Sequence, residues 1–388
     1  MRKIPAAAAW LLVVAFTLGC GLRTLFGPTA TPKPPFIPLP TELTPTPMQG
    51  PGGLPAGQVD PFSLPLVAVE NAGGLKKVGG ASGIEVSAIL RHSQMAWSRD
   101  GQFGAALAWD GGAPEILSIL HLANPGQVTR IDIDTAADWV DLSASGTRVV
   151  TFLTCPEGHC LGIFDPSSGA LAAIYPLSVQ IPFGLAVSPD GTRAAVGDLR
   201  YAGPEGTDSG SALIQLVDLD TGIPLGLLGE AFFSDLGFAP DGARVAAAGP
   251  AGITLWDVNT GAASYLTNAD TFPTFLAFSP DGSFLATDGA DGRAFLWSPE
   301  YGELDQVLAG YSGDVTGLSF SADGSVLAVG TSAGEVRLVN QQDSAFLGNL
   351  PPSVGVLDLS FTSGGRLLAT LSSEGTGLAG LGVWGAKP

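Results

Sequence analysis

Two cysteines separated by four residues are the clearest candidates for chemistry in this chain. Cys155 and Cys160 belong to the segment Thr-Cys-Pro-Glu-Gly-His-Cys. In an exported protein such a pair forms a disulfide across the turn of a hairpin, because the oxidising environment favours it. Two free thiols are one alternative. A metal site that also uses His159 is another, although no fourth ligand lies nearby in the sequence. We expect the disulfide.

Two glycine motifs match enzyme signatures, but their sequence contexts are wrong for catalysis. Residues 330–334 match Gly-x-Ser-x-Gly, the nucleophile elbow of hydrolases, which lies where a strand turns into a helix. The segment Val-Arg-Leu-Val at 336–339 predicts a strand there instead. Residues 375–380 match the Gly-x-Gly-x-x-Gly dinucleotide fingerprint, but too few residues follow them to form the helix and second strand that it requires.

The other metal-binding and proton-transferring residue types form no recognisable site. Asp288 and Asp291 lack the spacing of an EF-hand calcium loop. The three histidines of the chain, His92, His121 and His159, are scattered, and no motif joins them to a serine and an aspartate. We therefore predict a protein that is not an enzyme and has no catalytic residue, metal or cofactor.

A turn sequence that recurs seven times indicates how the strands of this chain are arranged. The copies resemble Ser-Pro-Asp-Gly and occupy residues 98–101, 143–146, 188–191, 239–242, 279–282, 321–324 and 362–365. Their final glycines are 45, 45, 51, 40, 42 and 41 residues apart, and the longest interval contains an extended loop at 199–211. A period of about 40–45 residues is that of a four-stranded propeller blade.

The segment 278–297 shows one repeat in detail. Asp281-Gly282 and Asp291-Gly292 separate its apolar runs. We interpret the runs as antiparallel strands joined by tight type I′ turns, because glycine, and to a lesser extent aspartate, adopts the positive φ that such turns need. The strands are apolar on both faces, so the small sheets must stack against one another. The sequence predicts an all-β, seven-bladed β-propeller of four-stranded antiparallel blades.

The last blade needs an outer strand from elsewhere in the chain. Its third strand ends at Val383-Trp384, close to the last residue of the sequence. Residues 75–78 precede the first strand of blade 1 and are available to complete blade 7. We predict that residues 75–78 pair with residues 381–384, which closes the ring and leaves no long open sheet edge.

Several local motifs resemble those of the WD-repeat family of β-propellers. Residues 255–257, Leu-Trp-Asp, and residues 259–261, Asn-Thr-Gly, are similar to the Trp-Asp signature and the turn after it. Residues 278–282 and Asp291-Gly292 are similar to the turns that precede the second and third strands. The resemblance extends from about residue 75 to the C-terminus. It implies a non-enzymatic scaffold or recognition module for protein partners.

One motif of the family is changed in this chain. Many members have Gly-His before the first strand, where the histidine joins a buried hydrogen-bond network with serine or threonine, aspartate and tryptophan. Blade 6 has Gly310-Tyr311 at this position. The resemblance therefore implies that the network is absent or broken here. TolB-like propellers, whose repeats also contain a Ser-Pro-Asp-Gly turn, are the second family that the chain resembles.

The N-terminus resembles the signal of a bacterial lipoprotein. Met1, Arg2 and Lys3 form a positive segment. The apolar segment 6–18 that follows is shorter than the about 20 residues that span a bilayer, as in a secretory signal peptide. Residues 17–20, Thr-Leu-Gly-Cys, resemble the lipobox, in which the cysteine becomes the lipidated first residue. Ordinary signal cleavage and an uncleaved membrane anchor are the alternatives.

Proline and threonine dominate the segment that follows Cys20. Proline removes a backbone donor and fixes φ, so this segment should be an extended tether of polyproline II character, with a reach on the order of 100 Å. We predict three regions: a signal peptide at 1–19, a lipidated cysteine and tether at 20–63, and the propeller at 64–388. The chain should be exported and held by lipid at the cell membrane, with the propeller outside the cytoplasm.

The charge and the exposed aromatic residues indicate the kind of partner. A formal net charge of −19 disfavours nucleic acid and anionic lipid headgroups as electrostatic partners. Aromatic residues in the loops between blades could anchor a protein interface, although such side chains also pack between blades. The candidates are Phe183, Phe232, Phe272, Tyr311 and, in the extended loop of blade 3, Tyr201.

We expect a protein-binding scaffold or recognition module at the cell envelope, with protein partners that the sequence does not name. The alternative is a propeller enzyme, or a small-molecule or metal-binding protein, that uses the central channel. Inward-pointing carboxylates or histidines that converge on a metal or a sugar would favour this alternative. The low histidine content of the chain argues against it.

Overall fold

In the described part of the chain, strands form almost all of the regular secondary structure. The computed structural model describes residues 70, 72–85, 95–98, 102–108, 115–121, 127–133, 139–199, 212–266, 272–289, 292–351, 353–362, 366–375 and 378–386. Cys20 and Tyr201 lie outside the described residues. Within these ranges, the strands form seven sheets, and residues 72–74 form a short 3-10 helix. No helix in the described part of the chain has the length and hydropathy to cross a membrane.

Each sheet contains four antiparallel strands and forms one blade of a propeller. In chain order the strands are β1 (Lys76–Glu85), β2 (Met95–Trp97), β3 (Phe103–Ala108), β4 (Glu115–His121), β5 (Val128–Ile133), β6 (Val140–Leu142), β7 (Val149–Cys155), β8 (Gly158–Phe164), β9 (Leu171–Leu177), β10 (Pro182–Val187), β11 (Arg193–Leu199), β12 (Ala212–Asp218), β13 (Pro224–Ala231), β14 (Asp235–Phe238), β15 (Arg244–Gly249), β16 (Gly252–Asp257), β17 (Ala263–Leu266), β18 (Leu276–Phe278), β19 (Leu285–Asp288), β20 (Ala294–Ser298), β21 (Glu303–Leu308), β22 (Val315–Phe320), β23 (Val326–Thr331), β24 (Val336–Asn340), β25 (Phe346–Asn349), β26 (Val356–Thr362), β27 (Leu367–Gly375) and β28 (Leu378–Gly385). Blades 1 to 6 take four consecutive strands each, from β2 to β25, and blade 7 combines β26, β27 and β28 with β1. The predicted seven-bladed propeller is confirmed.

The core lies between the blades and not within any one of them. β23, the second strand of blade 6, is buried at all six positions. The outer strand β21 of blade 5 alternates between exposed and half-buried side chains until its last residue, Leu308, which is buried. The described residues form seven hydrophobic clusters, and each cluster joins two neighbouring blades. One of them packs Leu120 of blade 1 against Leu371 and Leu381 of blade 7. A single blade buries neither face alone, so the ring is the smallest stable unit.

The turn between the first two strands differs from the predicted type I′ turn. In blade 5 the amide of Gly282 donates to the carbonyl of Ser279 over 2.9 Å. Gly282 has a φ of 73°, but Asp281 is not among the non-glycine residues with positive φ. Pro280 has its φ fixed near −65° by its ring. Negative φ at both central residues is the pattern of a type I turn, so the type I′ assignment was wrong.

An N-terminal strand completes blade 7, as predicted. β1 pairs antiparallel with β28, with Lys77 opposite Trp384 and Ala81 opposite Leu381. The predicted segment 75–78 was placed too early in the chain, because the pairing begins at Lys76 and continues to Glu85. Leu75 is instead buried in the hydrophobic cluster between blades 6 and 7. The closing strand therefore lies farther along the chain than the predicted segment.

Part of the buried network implied by the family resemblance is present. The indole of Trp297 donates to Thr287 over 2.9 Å in blade 5. The indole of Trp384 donates to Thr370 over 3.0 Å in blade 7. The tryptophan–threonine pair thus persists in two blades, and it ties the third strand to the second without the histidine.

Candidate partner-binding face

The connections between strands lie on two opposite faces of the ring. Because the strands of a blade are antiparallel and consecutive, the turns after the first and third strands share one end of the blade. We call this end the lower face. The turns after the second strand and the loops between blades share the other end, the upper face. The upper face is where the predicted partner-binding residues belong.

Phe183 and Phe232 are less accessible than the sequence indicated. Phe183 belongs to β10 and not to a loop, which corrects the predicted position. Its ring centroid lies 5.1 Å from that of Trp139 and 5.4 Å from that of Phe233. Phe232 is half-buried. Phe183 therefore packs at the junctions of blade 3, where aromatic stacking adds to the burial of apolar area.

Phe272 and Tyr311 lie on neighbouring loops of the upper face. Phe272 precedes β18 and is 52% exposed. Tyr311 precedes β22 and is half-buried, with the guanidinium carbon of Arg337 4.6 Å from its ring centroid. Arg337 also donates to the Glu335 carboxylate at 2.6 Å and to the carbonyl of Gly310 at 2.9 Å. Burial, the main cause, raises the pKa of Tyr311 to about 12, so the ring stays neutral.

Val354, which the sequence analysis missed, extends this surface to the next loop. Its side chain is 81% exposed. The amide of Ser353 beside it donates to the carbonyl of Gly334 over 3.1 Å, and the amide of Ser332 donates to the carbonyl of Asp314 over 2.9 Å. Only aromatic residues were sought in these loops, so the aliphatic Val354 was overlooked. We call Phe272, Tyr311 and Val354 the upper patch.

Gly334 shows how closely these loops approach one another. It has a φ of 87°, and a Cβ atom added there would lie 1.9 Å from the carbonyl oxygen of Ser353. Only glycine suits both the backbone conformation and the space. The Gly-x-Ser-x-Gly match at 330–334 thus has a structural explanation, since it forms the turn between β23 and β24.

Buried carboxylates hold the backbone beneath the upper patch. Asp288, at the end of β19, accepts hydrogen bonds from the amides of Thr274 and Phe275 at 2.6 and 2.7 Å. Its other oxygen accepts from the hydroxyl of Thr274 at 2.6 Å. Burial is the largest influence on this carboxyl and raises its pKa to about 6, although the hydrogen bonds act in the opposite direction. An aspartate at the end of an apolar strand was the available sequence signal, but it had been weighed only as a calcium ligand.

Aspartates on first strands also connect one blade to the next. Asp141 on β6 accepts the amide proton of Val187 on β10, at 2.6 Å. Asp358 on β26 accepts the indole proton of Trp97 on β2, at 2.8 Å. Both bonds cross from one blade to its neighbour, and the second joins the last blade to the first. These carboxylates stabilise the ring, so their role is structural.

The structure joins Cys155 and Cys160 in a disulfide across the turn between β7 and β8, with Cα atoms 6.0 Å apart. Cys160 is buried in the cluster between blades 1 and 2. The Nδ1 atom of His159 is buried and has no hydrogen-bond partner in the described structure. No group of three or more His, Cys, Asp or Glu side chains able to hold a metal occurs within the described ranges.

The family comparison matches the part of the ring that carries Phe272 and Tyr311. Residues 266–298 and 302–340 match the family described as WD domain, G-beta repeat. The first match contains the first three strands of blade 5. The second starts with the outer strand of blade 5 and ends with the third strand of blade 6. The second match is thus offset from the structural blade by one strand.

Known proteins resemble parts of this chain. The WD repeat-containing protein SL1-17 of Schistosoma mansoni is 33% identical over 126 residues, which is 31% of this chain and 41% of that protein. The Periodic tryptophan protein 2 homolog of Schizosaccharomyces pombe is 33% identical over 102 residues, 26% of this chain and 12% of that protein. The Tricorn protease homolog 1 of Streptomyces coelicolor is 36% identical over 103 residues, 26% of this chain and 10% of that protein.

The matched segments cover less than half of each of these relatives. What they share with this chain is a run of repeats, and the fold shows how the repeats are used. Seven four-stranded blades close into a ring, and two blades carry the matching repeat sequence. The chain is therefore a seven-bladed β-propeller in which residues 266–298 and 302–340 match WD40 repeats.

Proposed function

We propose that this protein is an exported, lipid-anchored scaffold that binds a protein partner through the upper patch. WD40 propellers typically act as protein-interaction scaffolds, which supports the general role. The observation that carries the proposal is the exposure of Phe272 and Val354, 52% and 81%, on loops that hydrogen bonds hold in place. Apolar and aromatic side chains presented together by neighbouring loops of one face are the kind of surface at which protein interfaces are anchored.

The rigidity of these loops favours tight binding. Binding to an ordered surface costs less conformational entropy than binding to a mobile loop, because a mobile loop must become ordered in the complex. The Phe272 loop is fixed by Asp288, and the loop before Val354 is fixed by the backbone bond between Ser353 and Gly334. Tyr311 adds a ring whose orientation is set by Arg337.

The N-terminal segment supports attachment to a membrane by lipid. A positive segment at Met1–Lys3, an apolar segment at 6–18 and Cys20 follow one another in the order of a lipoprotein signal. The proline-rich tether then separates the anchor from the propeller. The net charge of −19 favours a protein partner over a nucleic acid.

A pull-down from native envelope extracts tests the partner-binding role. The full chain is compared with a Phe272→Ala/Val354→Ala variant and with Tyr301→Ala, whose side chain is 74% exposed in the lower-face turn of blade 5. We expect a partner that wild type and Tyr301→Ala retain and the upper-patch variant loses, with the affinity falling by about 30-fold or more. A protein retained equally by all three chains, or no retained protein, would overturn the proposal.

Metabolic labelling with a fatty acid tests the anchor. Wild type should incorporate the label and sediment with membranes, whereas Cys20→Ser should do neither and should be released into the soluble fraction. Membrane association of Cys20→Ser equal to that of wild type would refute lipid anchoring, and it would favour an uncleaved membrane anchor.

A further inference from the structure

The outer strands of the blades differ in how well their open edges are protected. An outer strand pairs on one side only, so another chain can add to its open edge unless charged side chains or a short length prevent this. In the described structure, the outer strands β1, β5, β13 and β21 each carry at least one charged residue. The outer strands β17 and β25 carry none but have only four residues. β9 has seven residues and no charge, so its edge is the least protected.

Large apolar side chains are exposed along the edge of β9. Four of them, on blades 2 and 3, are between 36% and 60% exposed: Leu171, Ile174, Ile223 and Leu227. The two blades touch here, because the hydroxyl of Tyr175 on β9 donates to the carbonyl of Asp220 over 2.6 Å. We call these four apolar residues the rim patch, since they lie on the circumference of the ring.

Pro176 shows which backbone groups of β9 face the open edge. Proline has no N–H, so within a sheet it occupies positions whose amide side faces away from the neighbouring strand. Pro176 lies opposite Cys160 of β8, and Ile174 lies opposite Gly162. Since the direction of the backbone groups alternates along an antiparallel ladder, the N–H and C=O of Ile174 also point toward the open edge. Ile174 thus offers a donor, an acceptor and an exposed apolar side chain.

We propose that two copies of this chain associate through β9, which pairs antiparallel with β9 of the second copy across a two-fold axis at Ile174. Each Ile174 then lies opposite its counterpart, and the two residues exchange a pair of N–H···O hydrogen bonds. The two four-stranded blades become one continuous sheet. The rim patches flank this pairing and are buried with it.

Charge identifies a second copy as the occupant of this edge. Two chains with a formal net charge of −19 repel one another, so they meet most favourably where neither presents a charge. A charged residue near a two-fold axis would face its own charge, and β9 has no such residue. The carboxylate of Asp220 beside this edge is paired with Arg148. A basic protein would need no uncharged edge, because it would bind the acidic surface directly.

The disulfide lies in the same blade and makes its sheet more rigid. It joins β7 to β8 covalently, and its second residue, Cys160, lies opposite Pro176 of β9. A rigid edge favours the addition of a second chain, because less conformational entropy is lost when the two strands pair.

Sedimentation equilibrium of the full chain in density-matched detergent tests the proposal. Wild type should be a dimer. Ile174→Lys places two like charges at the axis and should raise the dissociation constant of the dimer by about 100-fold or more. Val307→Lys is the matched control and should remain dimeric. Val307 and Ile174 are both 46% exposed, and Val307 lies on the outer strand β21 of blade 5.

Oxidative cross-linking locates the axis. Ile174→Cys should form a disulfide between two copies, because the Cα atoms of a directly opposed pair lie about 5.5 Å apart, within the range that a disulfide spans. Val307→Cys should not cross-link. If Ile174→Lys does not fold, the two cysteine variants still decide the matter.

Four results would overturn the proposal. One is a wild type that stays monomeric at the highest concentration used, even if it captures another protein through β9. Another is equal association of wild type and Ile174→Lys, and a third is loss of the dimer in Val307→Lys. The fourth is cross-linking of Val307→Cys that is as efficient as that of Ile174→Cys.

The dimer is independent of the proposed function. β9 lies in blade 2, whereas the upper patch lies on loops that enter blades 5, 6 and 7. Sedimentation needs no partner, and the pull-down needs no dimer, so either proposal can fail while the other holds. If both hold, one dimer presents two upper patches and binds a repeated partner with added avidity.

Discussion

Asp235 and Asp358 occupy equivalent positions in blades 4 and 7, four residues before the turn that follows the first strand. Each uses one carboxylate oxygen to accept the amide proton of the next residue, at 2.9 and 2.7 Å. Each uses the other oxygen to reach the neighbouring blade. Asp235 binds a backbone amide, that of Leu276, whereas Asp358 binds the indole of Trp97.

The two junctions differ in how strongly the hydrogen bond depends on the identity of the partner residue. A backbone amide is present whatever residue stands at 276, apart from proline, so the bond of Asp235 tolerates sequence change. The bond of Asp358 depends on one side chain, and it joins the last blade to the first. Closure of the ring therefore rests on a specific pair of residues, in addition to the pairing of β1 with β28. Substitutions at these and one further buried aspartate test the comparison, and they follow from the largest expected effect to the smallest.

Asp358→Ala should have the largest effect. The residue is fully buried, and its removal leaves the indole of Trp97 and the amide of Leu359 without these acceptors. We expect the free energy of unfolding to fall by about 4 kcal/mol, since buried polar groups without partners cost about 1–3 kcal/mol each. Chemical denaturation measures the change. Asp358→Asn keeps an acceptor oxygen and should lose less, and equal losses in the two variants would contradict this account.

The pH dependence of stability should change in Asp288→Asn. The folded pKa is raised to about 6 from the ordinary 3.8. Because the folded state binds the proton more tightly, wild type gains stability as the pH falls from about 6 to about 4, and the variant lacks this gain. The gain over that window is about 3 kcal/mol at most. Urea denaturation at several pH values, analysed as the difference between the two chains, gives the result, and parallel pH profiles would refute it.

Asp235→Ala should cost less than Asp358→Ala. Asp235 is slightly more exposed, and water can replace part of its bond to the amide of Leu276. We expect a loss of about 2 kcal/mol in the free energy of unfolding. Hydrogen exchange should also show weaker protection at Leu276. A loss larger than that of Asp358→Ala would mean that the blade 4–5 junction, and not ring closure, is the more sensitive one.

Trp97→Phe should have the smallest effect. It removes the indole N–H that Asp358 accepts but keeps an aromatic ring beside Gly104. The loss should be about 1 kcal/mol, the usual net contribution of one hydrogen bond. Thermal unfolding measures it. In the Asp358→Asn background the same substitution should cost less, and a fully additive loss would show that the two residues do not act as a pair.

The repeat sequence predicted most of the fold correctly. The positions of the turn glycines predicted the blades, and the location of Trp384 predicted that an N-terminal strand would complete blade 7. Two details were wrong for physical reasons. The hydrogen bond from Gly282 to Ser279 places Pro280 and Asp281 at the centre of the turn, and the φ of proline is incompatible with a type I′ turn there. Leu75 is buried between blades 6 and 7, and the closing strand begins at Lys76 and ends at Glu85.

The candidate site was predicted only in part. Phe272 and Tyr311 lie on the upper face, but Phe183 packs between blades and Val354 was missed. Apolar residues in a loop can face solvent or the next blade, and the local sequence does not distinguish the two. The buried aspartates were missed because their partners come from other strands or other blades. Asp288 and Thr274 are 14 residues apart, and Trp97 and Asp358 are 261 residues apart.

The sequence by itself determined the number, order and strand content of the blades. Those properties depend on turns and apolar periods within about 40 residues, and each is repeated often enough to be recognised. Only the tertiary structure decided which polar side chains are buried, which aromatic residues are exposed, and how the ring closes. These outcomes depend on residues that meet across blade junctions, where burial changes the energy of a charge and the proximity of a second blade supplies its partner.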